Sequence, residues 1–137
     1  MLGMTGISSD YRDVSAAAEA GNQDAINCLE AYAYRIIKYI GSYIAAMGGV
    51  DVITFTAGVG ENDDVVRKMV CDKLAPFGFK LYEEKNATRS KEPRIISTPD
   101  SKITICVIPT NEELAIARKS AAIAEAGEDT YGNVFSK

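Results

Sequence analysis

The sequence contains no histidine and no tryptophan. Without histidine there is no imidazole acid or base, no histidine metal ligand and no phosphohistidine intermediate. Cysteine is scarce. Cys28, Cys71 and Cys106 stand far apart and form no Cys-x-x-Cys pair, which argues against a zinc site. An odd number of thiols in apolar surroundings reads as buried, reduced cysteine of a cytoplasmic protein. No histidine exists to activate any of them as a nucleophile. No run approaches the roughly 20 apolar residues that span a bilayer, so no membrane partner is expected. The opening Met-Leu-Gly-Met-Thr-Gly lacks the basic-then-apolar pattern of a signal peptide. Positive charge is also short. Fifteen lysines and arginines against 19 aspartates and glutamates leave a net charge of −4. That balance lacks the basic footprint of a nucleic-acid binder. What is present is ordinary for one globular domain: 47% apolar and 25% charged residues over a length of 137.

Residues 3–13 carry two glycines, two serines and two aspartates and read as a loop entering a short helix over 14–20. Asn22 is a good cap for the next helix. Its apolar positions Ile26, Leu29, Ala33, Ile36, Ile37, Ile40, Ile44 and Met47 recur every three or four residues until Gly48-Gly49. Such a helix is about 40 Å long, more than a small domain needs. The Tyr32, Tyr34, Tyr39 and Tyr43 series on it reads as packing with polar tips at the surface. Residues 50–56 form a short, β-branched run that suits a parallel strand buried on both faces. A glycine loop over 57–62 follows, then a helix with Val65, Val66, Met69, Val70 and Leu74 on one face, closed by Pro76 and Gly78. Residues 79–94 read as irregular. Residues 94–97 and 103–108 suggest a hairpin around Thr98-Pro99-Asp100-Ser101. Pro109 to Glu113 opens a last helix with Leu114 and Ala117 inward, ended by Gly127, and 128–137 reads as a loose tail. The order is α/β, but the strands are too few for a buried parallel sheet, so part of a sheet is expected.

Three segments could carry chemistry. Phe55-Thr56-Ala57-Gly58-Val59-Gly60-Glu61-Asn62 is a strand feeding a glycine turn and a helix, where a ligand can approach the backbone. It lacks the third glycine of the dinucleotide fingerprint and the Gly-Lys-Ser/Thr of a phosphate loop. Glu61, Asp63 and Asp64 crowd the helix start and would repel phosphate, so a bound nucleotide would place its adenosine end there. A plain strand-to-helix turn explains the segment equally well. Thr110-Asn111-Glu112-Glu113 could hold Mg²⁺, or could simply be a capped helix start. Ser8-Ser9-Asp10-Tyr11-Arg12-Asp13 could bond a ribose or stack on a base, or form a helix-entry loop with a surface ion pair.

Six segments in order carry a resemblance. They are Gly-Ile-Ser-Ser-Asp-Tyr-Arg-Asp at 6–13, Ala-Tyr-Arg at 33–35, Ala-Met-Gly-Gly-Val-Asp at 46–51, Phe-Thr-Ala-Gly-Val-Gly-Glu-Asn at 55–62, Ile-Ser-Thr-Pro-Asp-Ser at 96–101 and Pro-Thr-Asn-Glu-Glu at 109–113. Together they resemble the C-terminal part of the acetate kinase family, from about Leu2 to about Lys119. The resemblance implies a partial ribonuclease-H-like domain of the actin-like ATPase type, with a mixed sheet flanked by helices. Residues 1–120 would belong to that nucleotide-binding domain and 121–137 would be the helix end and tail. It further implies the family's reaction, in which ATP phosphorylates acetate with Mg²⁺ to give acetyl phosphate and ADP. By the same resemblance Asp10, Tyr11 and Arg12 line the nucleotide pocket, Gly58, Val59, Gly60, Glu61 and Asn62 form the adenosine loop, and Glu112 is associated with magnesium. The family's N-terminal domain, with its catalytic aspartate, arginines and histidine, has no counterpart here. The expectation is therefore a self-associating chain that carries the nucleotide side of a site and meets acetate only in the intact enzyme. A self-standing adenine-nucleotide module, or a non-catalytic interaction fragment, are the alternatives.

Overall fold

The computed structural model describes residues 1–126. Asn22 accepts a hydrogen bond from the Ala25 N–H and starts the long helix, which with its two predecessors gives α1 (Leu2–Thr5), α2 (Tyr11–Glu19) and α3 (Gln23–Met47). Gly48, with φ 74°, ends α3 in a left-handed cap. Helix α2 begins three residues before the expected Val14, because the Asp10 carboxylate caps it through the Arg12 N–H. The expected opening loop also holds the single turn of α1.

Strand β1 (Val52–Phe55) leads into α4 (Ala57–Asn62) and α5 (Asp64–Leu74), which ends in a 3₁₀ turn over Ala75–Phe77. The glycine segment is thus helical rather than an open loop. Within 79–94, expected to be irregular, lie α6 (Glu83–Ala87) and a bridge between Leu81 and Ser97. Strands β2 (Arg94–Ile95) and β3 (Thr104–Val107) pair antiparallel, as the hairpin reading anticipates. Helix α7 (Glu112–Ala126) follows.

The sheet order is β1-β3-β2, with β1 and β3 parallel. Register sets Ile53 beside Ile105 and Phe55 beside Val107, on the face that packs against Val66, Val70, Cys71 and Leu74 of α5. The other face carries Val52, Thr54, Thr104 and Cys106, with Ile95 of β2 beside Cys106. Val52 is 53% exposed and Ile95 54%. Strand β1 is therefore covered on one face only, not on both as its near-continuous apolar run suggests. Helix α3 lies over α5 through Ala33 and its isoleucines, and a smaller cluster of Val14, Ala25, Cys28 and Leu29 joins it to α2. Of the tyrosine series only Tyr32 packs inward, against Tyr11; Tyr34, Tyr39 and Tyr43 are exposed. Leu114 and Ala117 of α7, expected inward, are exposed as well. The 128–137 tail lies outside the described residues.

Candidate functional site

The C-terminal ends of β1 and β3 are neighbours in a parallel pair, so the segments that follow them must meet. This is the crevice in which open α/β sheets bind ligands. After β1 the chain turns through Ala57 at φ 59°, the only non-glycine residue with positive φ among the described residues. That conformation costs an L-residue about 1–2 kcal/mol. Gly58 and Gly60 then sit on opposite sides of the α4 turn. A Cβ on Gly58 would meet nothing within 4 Å, whereas one on Gly60 would lie 3.3 Å from the Phe55 carbonyl carbon. Gly60 is therefore a packing glycine against β1, and it does not adopt positive φ.

A cleft of about 600 Å³ brings the first and third candidate segments together: Asp10, Tyr11 and Arg12 on one wall, Gly58, Val59 and Asn62 on the other. Gly60 and Glu61 do not line it. A neighbouring cleft of about 320 Å³ lies between Ala57 and Gly58 on one side and Thr110, Asn111, Glu112 and Glu113 on the other. Gly58 borders both clefts.

Each wall is braced. The Tyr11 hydroxyl donates to Asp63 Oδ2 at 2.5 Å, and Asp63 Oδ1 caps α5 through the Val66 N–H. Burial and the Asp63 carboxylate hold the Tyr11 phenol protonated far above its ordinary range. The Arg12 guanidinium grips Asp10 through Nε and Nη2, and that contact lowers the Asp10 carboxyl to about 2. Arg12 itself stays 87% exposed, so its planar face is open to stacking. The Asn62 amide donates to the Gly58 carbonyl and closes the α4 turn. Glu61 reaches the other way: the Thr110 N–H and hydroxyl both donate to its Oε1, at 2.8 and 3.1 Å. These bonds hold its carboxyl below the ordinary range.

Sequence reasoning missed Asp63 as a brace, though its Asp-x-x spacing to Val66 is a capping signal. It also missed Arg67, a buried residue that donates to Gly60 O, Asn86 O and Asn86 Oδ1. No local pattern marks a buried arginine whose partners lie 7 and 19 residues away.

For magnesium, Glu112 and Glu113 are exposed at the smaller cleft, and Asn111 Oδ1 is used to cap α7 through the Leu114 N–H. Among the described residues no three acidic, cysteine or histidine side chains converge as a metal cage. One or two carboxylates fit Mg²⁺, which retains water and shares its shell with phosphate oxygens.

The acetokinase family profile matches residues 1–118. The chain belongs to the acetokinase family. It is 57% identical to an acetate kinase of Lachnoclostridium phytofermentans over 119 residues, 87% of this chain and 30% of that protein. It is 54% identical to one of Pseudothermotoga lettingae over 127 residues, 93% of this chain and 31% of that protein. Among solved structures, Porphyromonas gingivalis acetate kinase superimposes with a TM-score of 0.79 at 43% identity, over 90% of this chain and 31% of that one. A propionate kinase of Francisella tularensis gives 0.74 at 38% identity, over 85% of this chain and 29% of that one. The chain spans about 30% of the length of these acetokinase relatives. Its mixed sheet flanked by helices is accordingly part of an actin-like ATPase fold, as the sequence implies. Among the described residues no helix is long and apolar enough to cross a membrane.

Proposed function

We propose that this chain forms the nucleotide-binding side of a cytoplasmic, self-associating kinase that transfers the γ-phosphoryl of ATP to acetate, giving acetyl phosphate and ADP. One juxtaposition supports this. Asp10-Tyr11-Arg12 and Gly58-Val59-Asn62, distant in sequence, share one cleft, and Glu112 stands across Gly58 from it. Asp10, Glu19, Asp63 and Asp64 outnumber Arg12 and Arg89 around the larger cleft. Such a wall accepts the uncharged adenosine and repels phosphate. Arg12 offers its guanidinium face to the base, and Tyr11, clamped by Asp63, fixes that wall. Glu112 would hold Mg²⁺ together with phosphate oxygens and water. When bound, the ion would offset charge on the transferred phosphoryl.

This chain has little of its own to stabilise that charge. It has no histidine, Arg12 is committed to Asp10, and Arg67 is buried on neutral acceptors. The expected outcome is adenosine and ADP binding in a calorimetric titration, with no acetyl phosphate formed from ATP, Mg²⁺ and acetate. Turnover by the chain alone at about 1–100 s⁻¹, the range of ordinary kinases, would contradict the division of labour. Absence of any adenosine or ADP binding would instead favour a non-catalytic interaction fragment.

A further inference from the structure

Beyond Ile108, whose N–H bonds Phe55 O, the parallel ladder between β1 and β3 meets Pro109, which has no N–H to offer. The next available donor is Thr110, and it is taken by Glu61 Oε1 at 2.8 Å, with the Thr110 hydroxyl adding a second bond at 3.1 Å. Glu61 thus extends the strand pairing by one side-chain rung, across 49 residues of sequence. Glu61 stands on α4, the helix that opens at Ala57, the residue at φ 59°. Backbone strain of that kind persists only where surrounding contacts hold it. On the far side, Asn111 follows Thr110 directly, and its Oδ1 caps α7 at Leu114. Position is therefore relayed from Glu61 through Thr110 and Asn111 to Glu112. Glu61 lies outside the larger cleft, so it has no direct place at an adenosine seated there.

We propose that Glu61 is a positioning residue: it locks the Thr110–Glu112 segment to the Ala57–Gly58 turn and so couples the metal side of the nucleotide site to its adenosine side. The role rests on the nucleotide reading given above. It differs from direct nucleotide contact in what it predicts. Coupling changes how strongly one ligand improves the binding of another, while leaving each site's own affinity in place.

The test compares the full chain with Glu61→Ala, Glu61→Gln and Thr110→Val. Calorimetry measures adenosine affinity, and ATP affinity with Mg²⁺ or with EDTA. In Glu61→Ala, adenosine affinity should stay within roughly twofold of the parent, while the gain that Mg²⁺ gives to ATP should fall by about fivefold or more. Glu61→Gln keeps an oxygen for both Thr110 donors and should restore most of that gain. Thr110→Val loses the hydroxyl but keeps the N–H bond and should fall between. If Glu61→Ala does not fold, the Gln and Val variants carry the comparison. Equal losses for adenosine and Mg-ATP, or an unchanged Mg²⁺ gain, would overturn the coupling and leave the nucleotide reading intact. A parent that binds no adenosine would remove the nucleotide reading and the coupling with it. Amide hydrogen exchange tests the clasp without any ligand: Thr110 should be protected in the parent and lose that protection in Glu61→Ala. A Thr110 amide that exchanges freely in the parent would overturn the proposal whatever the nucleotide data.

Discussion

Gly58 and Gly60 stand two residues apart on one helical turn, yet a side chain at each would do different things. At Gly58 it would enter open space shared by the two clefts. Gly58→Val should therefore leave the melting midpoint within a few degrees and weaken adenosine binding by about tenfold or more, since about 1.4 kcal/mol of lost contact already gives tenfold. At Gly60 it would press on the backbone of Phe55 in β1. Gly60→Val should cost about 1–3 kcal/mol of stability, as overpacking does. Any loss of nucleotide binding should then follow the loss of folded protein. Thermal melts and adenosine titration of both variants separate the two roles, and a reversed pattern would exchange them. The sequence shows that a glycine turn follows a strand; which glycine faces a ligand depends on how α4 rotates, and that depends on Phe55 lying beneath it. Asp10, Tyr11 and Arg12 were legible as polar residues entering a helix. Their convergence with Gly58 is implied by the family resemblance alone and has no local signature, because Tyr11 bonds Asp63 across 52 residues.

At the scale of elements, α3 is legible almost to the residue because Asn22 caps it, Gly48 stops it and its apolar positions keep a helical period. Strand β1 is legible as a strand, but its burial is not. Val52-Ile53-Thr54-Phe55 alternates exposed and covered positions, and an apolar Val52 on the open face hides that alternation in the sequence. Elements α4, α5 and α6 are joined by a contact that has no local signature. Arg67 of α5 bonds Gly60 O at 2.9 Å in α4, and Asn86 Oδ1 and Asn86 O at 2.7 Å each in α6. Asn86 in turn donates to Asp64 O at the start of α5. Arg67 meets no carboxylate in these bonds, and burial pushes its pKa down. The charge is tolerated because its donors are matched by carbonyl oxygens. Removing it strands those oxygens. Arg67→Ala should lower stability by about 3 kcal/mol, on the order of 10 °C in the melting midpoint. Arg67→Met, which restores volume but no donors, should recover less than half of the loss. Asn86→Ala should be non-additive with Arg67→Ala in a double-mutant cycle. Additive losses would mean that the two side chains do not act as one network.

For the molecule as a whole, surface decides behaviour more than core does. Among the described residues β1 pairs only with β3, so its other edge is unpaired. The sheet face bearing Val52, Ile95 and Cys106 is open, and Tyr34, Tyr39, Tyr43 and Met47 are exposed along α3. Unpaired strand edges and apolar patches favour association. A net charge of −4 opposes it weakly, since screening at physiological salt acts beyond about 8 Å. The expected state is a dimer or larger assembly at micromolar concentration, seen by light scattering coupled to size exclusion. The cysteines report which surface is used. Cys71 is buried, and burial pushes its thiol up to about 12, so it should resist alkylation at about pH 8.5 in any folded state. Cys106 lies on the open sheet face and is partly exposed. If association covers that face, Cys106 labelling should slow as concentration rises, whereas pairing through α3 should leave its rate unchanged. A monomer mass held over a hundredfold range of concentration, with constant Cys106 labelling, would mean that the open face and the free edge of β1 are tolerated in water, and that the packed face against α5 alone keeps this chain folded and soluble.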